Sequence, residues 1–355
     1  MSRDAAAGAA LAIGIDLGGT SLRLAAYRGL EAAAGAAAAA AGPGGAPPVA
    51  LTPVAHHREP VGEPRDPDTM VARIADHVAR LVDAARAAGD ADDDAVVPVG
   101  LGIAAMLRDH RGTVANSPHL RWRDVDLGAR LAARLGPRHP LAIHNDVNAI
   151  TYGEYGLGAA VGARDVLAVY VGTGIGAGLI VDGRLAEGAS HCAGELGHVK
   201  VAWDAGAAPC ACGGRGCVEA YVGGSYLLRR IRGELAGGAP SLARDLAGAA
   251  PVTVAHVDDA AGRGDRWALE LWQELAPLLA IALGNALALL NPARLVLGGG
   301  VLSRTPVLVE LTLAALEIAA PAAALEPLTI APAALGDDAG LVGAALLATR
   351  DARPG

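Results

Sequence analysis

Two stretches of the chain repeat one plan, and that plan limits the folds open to it. Leu11 to Tyr27 reads as strand, tight glycine turn, strand (LAIGID, LGGTS, LRLAAY), and Val166 to Val171 runs as a strand into GTGIGAG and out through LIVDG. Each turn joins glycines, whose backbone N–H groups can approach an anion closely, to a threonine hydroxyl as a further donor. Two such hairpins imply a duplication at the level of architecture, able to grip one phosphate chain from opposite sides. The first offers Gly18, Gly19 and Thr20, with Asp16 at the strand end placed to hold Mg2+ through water; the second offers Gly172, Thr173 and Gly174. A third cluster, Gly298, Gly299 and Gly300, follows a strand at Arg294 to Leu297 and presents bare backbone to a flat nucleotide base.

Between the second and third clusters lies HCAGELGHVKVAWDAGAAPCACGGRGCVE, residues 191–219, which holds all four cysteines. Cys210, Cys212 and Cys217 crowd into a glycine-rich turn downstream of His198, a closed tetrahedral set for structural Zn2+. Glu195 stands just before the first ligand and Glu219 just after the last, so the metal would fix two acids relative to each other. Cys192 has no place in the set and reads as a small core residue.

A chain of 355 residues has room for two domains, each with its own core. Its 52% hydrophobic content is no membrane argument, because aromatics are 3%, Phe is absent and alanine inflates the total. A net charge of -8 without a basic cluster speaks against nucleic acid. Lys200 is the only lysine, so no Gly-Lys-Ser/Thr phosphate loop exists. The start, MSRDAAAGAALAIGIDLGG, lacks an apolar signal core, and a cytoplasmic protein with reduced thiols is expected.

The remaining segments read more plainly. The low-complexity stretch GLEAAAGAAAAAAGPGGAPPVA is expected to be a flexible excursion, its alanines offering at most a short helix. Asp66 to Ala88 carries a helical apolar stripe, VVPVGLGIA is a buried strand, a short strand follows near Gly112 to Ala115, and Leu141 to His144 is a strand leading into Asn145 and Asp146. LAPLLAIALGNALALL falls short of a membrane span and is interrupted or flanked by Glu274, Pro277 and Asn285, so a buried domain helix is expected. GDDAGLVGAALLATR reads as a last helix with Asp337 or Asp338 as N-cap.

Taken together, DLGGT, NDVNAITYGE, VGTGIGAG, GELGH, CACGGRGCVE and LGGGV resemble the ROK family of sugar kinases and repressors, within the actin-like ATPase (ribonuclease H-like) fold. The resemblance implies a two-domain α/β protein with an interdomain cleft. A small domain would take residues 1–142 and 336–355, and a large one 143–335 with the sugar, zinc and adenosine motifs. The family's repressors carry a helix-turn-helix domain ahead of the first phosphate motif, and the position of Asp16 leaves no room for one, so the enzyme branch is implied.

By position, the resemblance makes Asp146 the general base that takes the proton from a sugar hydroxyl as it attacks the γ-phosphoryl of ATP. Asn145, Glu195, His198 and Glu219 would hold sugar hydroxyls, His198 serving both zinc and sugar. Gly19, Thr20 and Thr173 would line the phosphates, Asp16 would sit near Mg2+, and Gly298 to Gly300 near the adenosine. Arg23, on the strand after the first turn, is placed to assist a phosphate, but reads more readily as a surface or salt-bridged arginine. Two departures touch the sugar side: Ala104-Ala105 where the family usually has Pro-Gly, and Pro118-His119-Leu120 where Pro-Asn-Leu is common. The implied reaction is ATP-dependent phosphorylation of a hexose at the 6-hydroxyl, with glucose the leading substrate. The alternatives are N-acetylmannosamine, N-acetylglucosamine or another hexose, and a sugar-sensing protein without catalysis. Polyphosphate is an alternative donor, and a homodimer or higher homo-oligomer is common in the family.

Overall fold

The computed structural model describes residues 10–42, 45, 47–49 and 51–352. The chain divides into two compact units, one of residues 1–164, 178–193 and 333–355, the other of residues 165–177 and 194–332. The first unit thus takes in 143–164, 178–193 and 333–335 besides the segments assigned to it from the sequence.

A five-stranded sheet organises the first unit, in the order Ala55–Pro60, Ser21–Arg28, Leu11–Leu17, Val99–Ile103, Leu141–Asn145. The first three strands pair antiparallel and the last three parallel. Alternation along the strands feeds two cores. Ile13, Ile15, Leu17, Leu22 and Leu24 enter one, with the helix Pro67–Ala87, whereas Ala12, Ala25 and Tyr27 enter the other, with the helix Ala339–Asp351.

That last helix approaches the sheet backbone to backbone. A Cβ on Gly14 would overlap the carbonyl of Leu341, and one on Gly100 would overlap that of Ala344. The glycines inside LAIGID and VGLGI therefore serve packing between segments more than two hundred residues apart.

Glu154 ties the same segment down a second time. It is fully buried on the helix Asp146–Leu157 and accepts the backbone N–H groups of Ala159 at 2.8 Å, Ala334 at 2.9 Å and Leu335 at 2.9 Å. An amide in its place turns one acceptor into a donor facing those N–H groups. Glu154→Gln is expected to cost about 2 kcal/mol in urea unfolding, without a change in the m-value. An unchanged midpoint would mean that the three bonds are replaceable by water.

Three expectations need correction here. Leu30–Ala40 is a regular helix, with Leu30 and Ala37 buried against the second core, because the alanine run outweighs one glycine once a surface is there to pack on; part of the segment beyond it lies outside the described residues. Asp338 precedes the last helix but makes no side-chain cap bond. Cys192 is only half-buried in a loop, with its thiol on the carbonyl of Ser190 at 3.3 Å, so it is no core residue.

In a second five-stranded sheet Val166–Val171 and Thr329–Pro332 flank Arg294–Gly298, all parallel, and Ile175–Val181 borders Val166–Val171 on the other side. The helix Arg266–Leu290 is long and apolar enough to cross a membrane by length and composition. Leu271, Trp272, Leu275, Leu279, Leu283 and Leu287 on it are nonetheless buried in the second unit, which makes it a core helix. Asp265 caps its start through the N–H of Ala268 at 2.9 Å.

Candidate active site

The first glycine turn closes through the N–H of Gly18 on the carbonyl of Ser21 at 3.1 Å. Asp16, at the end of its strand, is held by Arg23, whose Nε donates to Oδ2 at 3.0 Å and whose Nη2 donates to the same oxygen. The other arm of Arg23 reaches the carbonyl of Asp337 at 2.7 Å, so the arginine is a positioning residue for Asp16, as its salt-bridged reading implies. Arg65, which the sequence did not single out, donates to the carbonyls of Gly19 at 3.2 Å and His119 at 2.9 Å. The His119 side chain stands so close over Gly19 that a Cβ there would come within 2.8 Å of it.

Asn145 and Asp146 stand where the strand Leu141–Asn145 passes into the helix Asp146–Leu157. Asn145 is the N-cap: its Oδ1 accepts the N–H of Val147 at 2.9 Å and of Asn148 at 3.3 Å, and its Nδ2 donates to the carbonyl of Ala105 at 3.3 Å. Capping and site therefore coexist at this dipeptide, and one amide N–H remains for a ligand. Asp146 is partly buried beside it. Burial and, second, the Asp16 carboxylate push its carboxyl up to about 7, against bonds from the Val147 and Asp146 N–H groups and Asn145 that pull it down.

The two departures from the family pattern meet at this place. Ser117 is fully buried and donates to the carbonyl of Ala104 at 2.8 Å while accepting the N–H of Leu120 at 3.4 Å. Ala104-Ala105 and Pro118-His119-Leu120 are thus joined, one end under Asn145 and the other over Gly19.

In the second unit the N–H of Gly172 bonds the carbonyl of Gly174 at 2.9 Å, and the carbonyls of Gly172 and Thr173 accept from Gly224 and Ser225. Glu219 accepts the N–H of Ile175 at 2.8 Å, and its carboxylate lies against Gly174. It is therefore joined to the second glycine turn as well as to the cysteine segment. Of the third cluster, Gly299 has φ 89° and its missing Cβ leaves space for the backbone of Val171, whereas a Cβ on Gly300 would meet nothing within 4 Å. Gly300 is the open face of that cluster.

His198, Cys210, Cys212 and Cys217 place their donor atoms within 4.8 Å of one another. Thiolates and imidazole around tetrahedral zinc stand roughly 3.5–4 Å apart, so the set fits the ion. Cys210 lies 3.8 Å from His198 Nδ1 and Cys212 lies 3.6 Å from Cys217. The turn that gathers them closes through Cys210 N–H on Gly214 and Gly213 N–H on Cys210, with Gly213 at φ 88°. Burial pushes the Cys210 thiol up to about 11, while the Gly214 N–H draws that of Cys212 down. Lys200 donates to Cys217 at 2.8 Å, a charged partner for a sulfur of this set that spacing alone did not reveal. The Nε2 of His198 faces Glu195 at 3.7 Å, so the ring has one nitrogen toward the thiols and the other toward a candidate sugar ligand.

Paired strand–glycine turn–strand units, each in its own five-stranded sheet, belong to the two-domain actin-like ATPase fold of the sugar kinases. Residues 52–351 match the ROK family model, and the chain belongs to the ROK family. It is 31% identical over 298 residues to a glucokinase of Streptomyces coelicolor, covering 82% of this chain and 89% of that one. A solved ROK family glucokinase from Streptomyces griseus, in complex with glucose and AMPPNP, is 28% identical with a TM-score of 0.70, covering 96% of this chain and 99% of that one. A xylose repressor of Caldicellulosiruptor bescii is 28% identical over 203 residues, covering 57% of this chain and 50% of the repressor.

Proposed function

We propose that this protein transfers the γ-phosphoryl group of ATP to the 6-hydroxyl of a hexose, with glucose as the leading substrate. The observation that carries the reading is Asp146, a carboxyl raised to about 7 on the first turn of a helix whose cap, Asn145, fixes the backbone around it. A base poised near the working pH takes a hydroxyl proton with the least loss on either side of the transfer. Asp16, with both Arg23 bonds on Oδ2, keeps Oδ1 for a hydrated Mg2+, which neutralises phosphate charge when bound. Gly19, Thr20 and Thr173 are assigned to the phosphates and the Gly300 end of the third cluster to the adenosine. Asn145, Glu195, His198 and Glu219 are assigned to sugar hydroxyls. The glucokinase relatives support this assignment, as does the zinc-centred set that orients His198.

Purified protein with MgATP and a panel of hexoses and N-acetylhexosamines, followed by ADP release, tests the reading. ADP should rise above the sugar-free blank most strongly with glucose. If every sugar leaves the blank unchanged while a sugar still raises Tm, the sensing reading stands instead, which similarity to the xylose repressor favours. His119→Asn, which restores the family's usual residue beside Gly19, is expected to alter the ranking of sugars while Asp146 chemistry persists. An identical ranking would remove His119 from specificity.

A further inference from the structure

Away from the cysteine set, the first unit gathers His110, Glu187 and His191, whose donor atoms lie within 4.8 Å of one another. His110 stands in the turn between Met106–Leu107 and Thr113–Ser117; Glu187 and His191 belong to the loop that runs on to Glu195. The two imidazoles meet edge to face with centroids 4.1 Å apart, and His110 Nδ1 is 3.5 Å from Glu187 Oε2, beyond a good hydrogen bond. His191 adopts φ 56°, a left-handed backbone uncommon outside glycine.

What sets this group apart is the preparation of its carboxylate. The Glu187 side chain is only 10% exposed, and its Oε1 faces His144 Nδ1 at 3.0 Å and receives Asn148 Nδ2 at 3.5 Å. His144, itself buried, has its Nε2 3.3 Å from Asp351, which Arg350 holds at 2.7 Å. A chain of partners thus fixes one oxygen and leaves Oε2 aimed at two imidazoles, the outer arrangement that orients metal ligands. Donor atoms about 2.1 Å from a first-row ion stand roughly 3.0–3.4 Å apart, so a contraction of up to about 1.4–1.8 Å closes the set. The exposed turn carrying His110 can supply that movement. A second trio, His57, Glu59 and His77, differs: Arg73 occupies Glu59 Oε1 at 2.9 and 2.6 Å and would set a guanidinium beside any cation.

We propose that His110, Glu187 and His191 form a second divalent metal site, for an ion such as Zn2+, Co2+ or Ni2+, with water completing the shell. Two imidazoles and one carboxylate suit these borderline ions, unlike the thiolate set, and leave positions open to solvent. The bound ion cross-links the 108–112 turn to the 186–193 loop.

Equilibrium dialysis against Co2+ of protein whose cysteine set is already loaded with zinc tests the site. Wild type should take up one added equivalent, with weak visible bands and no thiolate-to-metal charge transfer. His110→Ala, at a side chain 74% exposed and so without a folding role, and His191→Ala should each weaken that uptake at least tenfold, while His57→Ala leaves it unchanged. No added equivalent in wild type, uptake by His110→Ala within twofold of wild type, or loss with His57→Ala would each overturn the assignment.

Discussion

Replacing Asp146 with Asn should remove phosphoryl transfer and raise the melting temperature in the same protein. The loss in kcat is expected to be about 10²–10⁴-fold, because the amide cannot accept the hydroxyl proton. The gain in stability follows from the carboxyl's environment. With a folded pKa of about 7 and an unfolded value near 3.9, the folded state keeps a proton between those limits that the unfolded state has released. Stability from this group is therefore fully present below about pH 4, falls as pH rises, and is lost above about 7. Asparagine carries no such penalty. The difference in Tm between variant and wild type should be near zero at pH 4 and largest at pH 8, equivalent to roughly 2–4 kcal/mol. A variant equally active, or one less stable at pH 8, would contradict the placement of Asp146 as a buried base. In wild type, kcat/KM for sugar should fall on the acid side with an apparent pKa near 7.

Removal of the zinc, by chelation or by Cys217→Ser, should lower Tm steeply and weaken sugar binding at least tenfold. Structural zinc is worth about 10–16 kcal/mol in small zinc domains, and an ion held by this set would tie His198 to Cys210, so that its loss would free the imidazole. Read from the sequence, nucleotide affinity should change much less. Glu219 modifies that expectation, since it follows Cys217 by two residues and also holds the N–H of Ile175 at the end of the second phosphate turn. ATP-analogue binding should therefore weaken as well, by a smaller factor than sugar binding. Calorimetric titrations of glucose and of the analogue before and after metal removal measure both. Unchanged affinity for both ligands in zinc-free protein would separate the metal from the site altogether.

Features set by short spacing could be read directly from the chain. The one histidine and three cysteines proposed to hold zinc lie within twenty residues of one another, and the glycine turns and the strand leading to Asn145 announce themselves by composition. What escaped depends on partners far away in sequence. Glu154 looks like an ordinary helix acid until Ala334 and Leu335 arrive from 180 and 181 residues downstream. Lys200 gained a role only when Cys217 was seen beside it, and Arg65 only when Gly19 and His119 came together. The strand Ala55–Pro60, AHHREP, carries no apolar alternation to mark it; pairing with Ser21–Arg28 supplies the ladder that defines it. Leu30–Ala40 was obscured by the glycines and prolines behind it, and a packed surface decides its state.

The closing helix has a bearing on how the chain is made. Gly14 and Gly100 are shaped to receive Leu341 and Ala344, and Glu154 waits for Ala334 and Leu335, so the amino-terminal sheet emerges from the ribosome long before its covering helix exists. Until residues 339–351 are made, the core on one face of that sheet lacks Leu341, Val342, Ala345 and Leu346 and is only partly covered, by Leu30, Ala37, Leu157 and Val161. Residues 194–332, by contrast, are made in one run. Nascent chains stalled short of Ala339 should therefore hold the amino-terminal half in a protease-sensitive form and depend on chaperones, and emergence of residues 339–351 should be the event that completes its core.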